Sequence, residues 1–117
     1  MPVILVLEDD SATRNALVET LRKLFPQARV ASARSDAAPG VVAVERANVV
    51  LASLPAVERL YREGAPPSVP VVALTREMSP DTLMRAEALG AAGALRTPSG
   101  ADQLAAVLGP MLDGLPS

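Results

Sequence analysis

The sequence contains no cysteine and no histidine. Without cysteine there can be no disulfide, no zinc–thiolate site and no thiol nucleophile. Without histidine the chain lacks the usual general base and every Ser-His-Asp arrangement. Tryptophan is also absent, and the chain has one tyrosine and one phenylalanine, so we do not expect nucleic-acid bases to stack on aromatic side chains.

Neither the net charge nor the length of the apolar runs indicates that the chain binds nucleic acid or a membrane. Eleven basic and thirteen acidic residues leave a net charge of −2, so no basic field points to nucleic acid. No apolar run reaches the ~20 residues that a membrane span needs. No basic leader precedes the first apolar run, so we predict no secretory signal and a cytoplasmic location.

What the chain does contain is enough apolar surface for one core. It has 117 residues, of which 50% are hydrophobic and 21% charged. This composition excludes wholesale disorder and predicts one domain covering residues 1–117.

Strand-like and helix-like segments alternate along the chain. Residues 3–7 are a continuous apolar run, which is typical of strands buried on both faces of a parallel sheet. Five βα units follow from this pattern, which favours a parallel sheet covered by helices on both faces over an all-helical bundle. The predicted strands are 3–7, 28–33, 48–52, 69–75 and 94–96.

Caps and breakers delimit the predicted helices. Ser11 is expected to cap the first, with Ala12, Ala16, Leu17, Leu21 and Leu24 on its buried face. Ser35 or Asp36 is expected to cap a short second helix with Pro39 in its first turn, and residues 55–63 form the third. Ser79 and Gly90 bound the fourth, and Ser99 begins the last, which ends near Leu112.

Polar residues follow four of these strands. In open parallel sheets, ligands bind beyond the carboxyl ends of the strands, so these residues are the candidate site. They are Glu8, Asp9 and Asp10 after the first strand, Ser53 after the third, Thr75 and Arg76 after the fourth, and Thr97 after the fifth.

Three stretches, in this order, resemble the receiver domain of bacterial response regulators. They are ILVLEDD at 4–10, VPVVALT at 69–75 and ALGAAGALRTP at 88–98, and the resemblance covers essentially the whole chain. It implies a flavodoxin-like (βα)5 fold with strand order 2-1-3-4-5. It also implies two-component or phosphorelay signalling, in which an aspartate ending the third strand accepts a phosphoryl group beside Mg²⁺ and a lysine.

Matched position by position, the resemblance is incomplete. Glu8 and Asp9 match the acidic pair that holds Mg²⁺ in the family, and Thr75 matches the switch hydroxyl. Three positions depart: Ser53 stands where the phosphoacceptor aspartate is expected, Thr97 where the lysine is expected, and Ala94 where the switch aromatic is expected.

These departures predict loss of phosphotransfer. A serine hydroxyl is barely ionised at neutral pH and needs a base, which a chain without histidine does not readily supply. Losing the lysine removes a charge that stabilises the transferring group. We therefore expect no catalytic residue, and Mg²⁺ weakly bound or absent, with Glu8 and Asp9 as its only candidate charged ligands.

Several residues keep two interpretations. Glu8, Asp9 and Asp10 either bind a weak divalent ion or are solvated acids, one of which caps the first helix. Arg76 either reaches back to Asp9 or Asp10 and replaces the lysine electrostatically, or is simply exposed. Thr75 and Thr97 can equally stabilise loops, and the bond before Pro98 can be cis.

The resulting hypothesis is a pseudo-receiver that acts through protein contacts, with a signalling protein, its own output domain or a second copy as partner. The alternatives are a phosphorelay receiver with a relocated acceptor and a small enzyme or ligand-binding domain on the same sheet. The latter lacks a glycine-rich phosphate loop. The contact surface expected from the resemblance lies on the fourth helix, fifth strand and fifth helix, at Asp81, Arg85, Glu87, Arg96, Asp102 and Gln103.

Overall fold

The computed structural model describes residues 1–37, 40, 46–62, 69–77, 79–97 and 100–113. Strands and helices alternate along these residues, as the sequence predicts. The strands are β1 (Val3–Leu7), β2 (Arg29–Ala33), β3 (Val49–Ser53), β4 (Val71–Thr75) and β5 (Gly93–Arg96). The α-helices are α1 (Ser11–Leu24), α2 (Leu54–Arg62), α3 (Pro80–Leu89) and α4 (Ala101–Asp113), and a 3-10 turn spans Ser35–Ala37.

The five strands form one parallel sheet in the order β2-β1-β3-β4-β5, which confirms the predicted fold. Because successive residues of a strand point to opposite faces, each central strand contributes to two apolar clusters. One cluster joins Ile4 and Val6 to α1 and α4, and the other joins Leu5 and Leu7 to α2 and α3. The continuous apolar runs of β1, β3 and β4 are explained by this burial on both faces.

Helix ends agree with the sequence in α3 and differ in α1. Ser79 caps α3 by accepting a hydrogen bond from the backbone of Thr82, and Gly90 ends it in a left-handed conformation with φ of 102°. Asp10, not Ser11, caps α1, because its carboxylate accepts from the backbone of Thr13. The helix therefore already includes Ser11.

The predicted buried face of α1 is partly wrong. Leu17 and Leu21 are buried and Leu24 packs against the same cluster, as predicted, but Ala12 and Ala16 are exposed. The three leucines, spaced four and three residues apart, form the side of the helix that faces the core. Ala12 and Ala16 lie together on another side.

Other boundaries shift by one or two residues. Strand β3 extends through Ser53 and α2 begins directly at Leu54, so the chain passes from strand to helix without a loop. Pro110 lies inside α4, which the sequence analysis did not address. Three predicted features fall outside the described residues: Pro39 in the second helix, the bond to Pro98, and the cap at Ser99.

Candidate functional site

The parallel register brings the predicted polar residues to one edge of the sheet. Leu7 pairs with Ala52, and Ser53 pairs with Leu74, so the residues after β1 lie beside the end of β3. Thr75 pairs with Arg96, which places Thr97 next to the end of β4. A cavity of about 490 Å³ opens at this edge, lined by Glu8, Asp9, Asp10, Ser53, Leu54, Pro55, Leu74, Thr75, Arg76, Glu77, Thr82 and Thr97.

Ser53 is the last residue of β3 and lines this cavity. Its hydroxyl oxygen is buried and has no hydrogen-bond partner, a situation shared by no other buried side-chain polar atom in the described part of the chain. An unsatisfied buried hydroxyl costs free energy, because its bonds to water are lost without replacement. Among the described residues, no side chain forms the hydrogen bond with it through which a general base would take its proton.

Asp9 is turned toward the segment after β2. Its Oδ1 accepts a hydrogen bond from the backbone nitrogen of Ser35 at 2.7 Å, and its Oδ2 accepts one from the Ser35 hydroxyl, also at 2.7 Å. Hydrogen bonds to the charged form favour it, so the Ser35 side chain and then its backbone hold the pKa of Asp9 below the ordinary value. Both carboxylate oxygens of Asp9 are thus occupied by one residue.

Asp10 is occupied by the start of α1. Its Oδ2 accepts from the Thr13 nitrogen at 2.9 Å and from the Thr13 hydroxyl at 2.5 Å. These bonds lower the pKa of Asp10, the side-chain bond contributing most. Arg76 approaches the same oxygen at 3.9 Å, with side chains 76% and 45% exposed for arginine and aspartate. The arginine therefore reaches Asp10, as hypothesised, in an exposed ion pair of small energetic weight.

Glu8 has a different environment from its two neighbours. It is half-buried, and burial raises the pKa of its carboxyl, partly offset by a hydrogen bond from the Asp10 backbone. That bond is long, at 3.4 Å from the Asp10 nitrogen to Oε1. The Arg14 guanidinium also reaches this corner and donates to the Glu8 carbonyl oxygen at 2.7 Å. Two arginines, Arg14 and Arg76, therefore lie near the three consecutive acids at 8–10, which we call the acidic corner.

Thr75 and Thr97 are buried at the floor of the cavity. The Thr97 backbone nitrogen and hydroxyl both donate to the Thr75 carbonyl oxygen, at 2.6 and 3.3 Å. Thr97 therefore ties the ends of β4 and β5 together, which agrees with its interpretation as a stabilising residue. Ala94 is half-buried in β5 and packs on the cluster between the sheet and α2 and α3.

The carboxylates, as placed, do not fit a magnesium site. Mg²⁺ takes oxygen ligands in a near-octahedral arrangement, usually with one or two carboxylates. Here the carboxylates of Asp9 and Asp10 accept hydrogen bonds from Ser35 and Thr13, and Ser53 offers a neutral hydroxyl. Within the described ranges, no three acidic, histidine or cysteine side chains converge as a metal ligand set.

Sequence reasoning missed three partners of the acidic corner: Ser35, Thr13 and Arg14. Thr13 was predictable, because a Thr three residues after an acidic cap is placed to bond with it. Ser35 lies 26 positions from Asp9, and only the β1–β2 register, in which Leu7 pairs with Ala33, places it there.

All six residues of the expected contact surface are exposed. Arg85 turns toward α2 and pairs with Glu58, so it braces two helices. Two large apolar side chains of α3 are exposed nearby, Leu83 at 39% and Met84 at 67%. The other five members of the expected surface are Asp81, Glu87, Arg96, Asp102 and Gln103.

No family model and no curated protein matches the sequence. Among solved structures, the signal receiver domain of a DNA-binding response regulator from Colwellia psychrerythraea 34H has a TM-score of 0.83 and 24% identity, covering 97% of this chain and 99% of that one. Chemotaxis protein CheY4 of Vibrio cholerae has a TM-score of 0.80 and 22% identity, covering 95% and 98%.

A third similar structure is the receiver domain of a sensor histidine kinase from Pseudomonas aeruginosa PAO1, with a magnesium ion coordinated in its active site cleft. It has a TM-score of 0.79 and 19% identity, covering 97% of this chain and 98% of that one. No helix in the described part of the present chain is long and apolar enough to cross a membrane. At these identities the likeness establishes the architecture, and the chain has the fold of response-regulator receiver domains.

Proposed function

We propose that this chain is a receiver-like signalling domain that acts through protein contacts, without phosphorylation at position 53 and without bound Mg²⁺. The observation that carries the proposal is Ser53. It ends β3 at the edge where the acidic corner lies, and its hydroxyl is buried with no partner among the described residues. A neutral hydroxyl there supplies neither a strong nucleophile nor a charged metal ligand.

The surroundings of Ser53 support the same conclusion. Thr97, at the position expected for a lysine, is committed to the Thr75 carbonyl. Two cations lie near this edge: Arg76 is largely exposed and lies against Asp10, and Arg14 donates to the Glu8 carbonyl oxygen. A transferring phosphoryl group would therefore meet no fixed, buried positive charge of the kind that stabilises such a transition state. We assign no catalytic role to any residue.

We further propose that the protein partner binds the surface formed by α3, β5 and the start of α4. Leu83 and Met84 are exposed apolar side chains of α3, and charged residues of both signs are exposed on the same three elements. Exposed apolar side chains together with polar ones are typical of protein interfaces. The mixed charge suits a protein partner, or a second copy of this chain, better than nucleic acid.

Phosphorylation is tested by intact mass. The chain is incubated with a small-molecule phosphodonor and Mg²⁺, and the Ser53→Ala variant is treated in parallel. We expect the same unmodified mass for both. A gain of one phosphoryl group in the native chain that is absent in Ser53→Ala would overturn the proposal. A gain present in both would indicate a relocated acceptor.

The contact surface is tested by sedimentation over a range of concentrations. If a second copy is the partner, Met84→Glu weakens self-association, because it replaces an exposed apolar side chain of this surface with a charged one. Ala16→Glu is the matched control, since Ala16 is exposed on α1, the helix that packs on the other face of the sheet. Association that is equally weakened by both variants, or by neither, would contradict this surface.

A further inference from the structure

The geometry points to Ser35 as the residue that disables the metal-binding acid of this pocket, by holding the Asp9 carboxylate on the segment after β2. The lack of an aspartate at position 53 is then separate from the loss of Asp9 as a metal ligand. This inference depends on Asp9 and Ser35 alone, and it holds or fails independently of the proposed partner surface.

The contact between the two residues consists of two hydrogen bonds, one to each carboxylate oxygen. The backbone nitrogen of Ser35 donates to one carboxylate oxygen and its hydroxyl donates to the other, each at 2.7 Å. The pair fixes both the position and the rotation of the carboxylate, since two bonds from one residue define a plane. A metal ion that recruits Asp9 has to compete with both.

The serine itself is held in place by the fold. It begins the 3-10 turn directly after β2, and only 7% of its surface is exposed. The Glu8 nitrogen donates to the Ala33 carbonyl at 3.1 Å, which ties the loop after β1 to the end of β2. Ser35 therefore cannot move with Asp9 toward the cavity unless the backbone at the end of β2, which is hydrogen-bonded to Glu8, moves as well.

Contacts within the chain also offset the repulsion expected among three consecutive acids. Asp9 accepts two hydrogen bonds from Ser35. Asp10 accepts two from Thr13 and lies near the Arg76 guanidinium.

The test restores the missing carboxylate first and then releases Asp9. Mn²⁺ is titrated into Ser53→Asp and into the double variant Ser53→Asp/Ser35→Ala, and binding is followed by paramagnetic broadening of amide signals. We expect the double variant to bind Mn²⁺ at least about tenfold more tightly, because alanine removes the hydroxyl that bonds Oδ2. A shift of the melting temperature by Mn²⁺ gives a second reading, since an ion that binds the folded state stabilises it.

Two controls separate this role from a general loosening of the fold. Ser53→Asp/Ser32→Ala removes a hydroxyl from the exposed Ser32 of β2, and we expect it to bind as Ser53→Asp does. Adding Asp9→Asn to the Ser35→Ala double variant should abolish the gain. Equal Mn²⁺ affinity with and without the Ser35 hydroxyl would overturn the inference, as would a gain that survives Asp9→Asn.

Discussion

Ser35 and Ser53 are chemically identical, and the fold treats their hydroxyls in opposite ways. Ser35 is buried and donates to a carboxylate, whereas the Ser53 oxygen is buried without a partner in the described part of the chain. A satisfied hydroxyl bonded to a charge stabilises the folded state, and an unsatisfied one opposes it. The presence of a serine at position 53 is therefore better explained by its place in the candidate site than by a contribution to the stability of the fold.

The two serines predict opposite effects of one substitution. Ser35→Ala should lower the free energy of unfolding by about 1–3 kcal/mol, because it leaves Asp9 with one bond fewer. Ser53→Ala should leave it unchanged or raise it by up to about 1 kcal/mol, since a cost is removed. Chemical denaturation measures both. A Ser53→Ala variant as unstable as Ser35→Ala would show that the Ser53 hydroxyl has a partner.

The carboxyl of Asp9 predicts a pH dependence. Its pKa in the folded chain lies below the ordinary value of 3.8, so its contribution is fully present above that value and is lost as pH falls through the folded pKa. Asp9→Asn keeps the shape and removes the charge. We expect the variant to be less stable than the native chain at pH 7, with the two approaching each other below about pH 3.8. A difference in the free energy of unfolding that stays constant down to pH 2 would contradict this expectation.

At the residue scale, the sequence identified the polar cluster but not its internal pairing. Positions 8–10, 53, 75, 76 and 97 were predictable because each lies at or just after the end of a strand. The pairing of Asp9 with Ser35 depends on register between strands, which is a long-range property that no local pattern encodes. For Arg76 the sequence left two interpretations open, and the structure shows an exposed arginine that approaches Asp10.

At the scale of elements, α3 is held against α2 at two points. Arg85 pairs with Glu58, and the Tyr61 hydroxyl donates to the Gly90 carbonyl at 3.1 Å. The Tyr61 ring also covers Gly90, since a Cβ built there would lie 3.2 Å from the ring. The chain's one tyrosine thus fixes the end of α3.

This contact predicts opposite effects for two glycines. Gly90→Ala should destabilise the fold by about 1–2 kcal/mol, because the left-handed backbone disfavours a Cβ and the tyrosine ring crowds it. Gly93→Ala should stabilise it by about 0.4–1 kcal/mol, because its φ is not positive and the space around it is open. Thermal unfolding of the two variants measures the difference, and similar melting temperatures would contradict it.

Element types were predictable from short-range chemistry, and their ends less so. The cap at Ser79 and the stop at Gly90 are local signals, and both predictions are confirmed. The continuation of α4 through Pro110 contradicts the usual rule that proline breaks a helix interior. Gly109 precedes it and lacks the Cβ that would meet the proline ring, which removes one of the clashes that a proline makes inside a helix.

At the scale of the whole molecule, the fold and the phosphate chemistry of the resembled family depend on different residues. The sheet order depends on apolar runs and on the βα connections, which place few demands on the polar residues at the strand ends. In the resembled family the chemistry depends on a few side chains near those ends, and Ser53 and Thr97 stand at two of the positions matched to them. A receiver fold can therefore be inferred from pattern, whereas its activity has to be argued from Ser53, Thr97 and the acids individually.

The most direct test of this account is a two-dimensional amide NMR titration of the native chain with Mg²⁺ and beryllium fluoride, which mimics a phosphoryl group bound to an aspartate. The account predicts that the amide signals of Glu8, Asp9, Asp10, Ser53 and Thr75 do not move beyond a general salt effect. Saturable shifts concentrated on those five residues would contradict it, because they would show that the pocket still assembles a metal ion and a phosphoryl group.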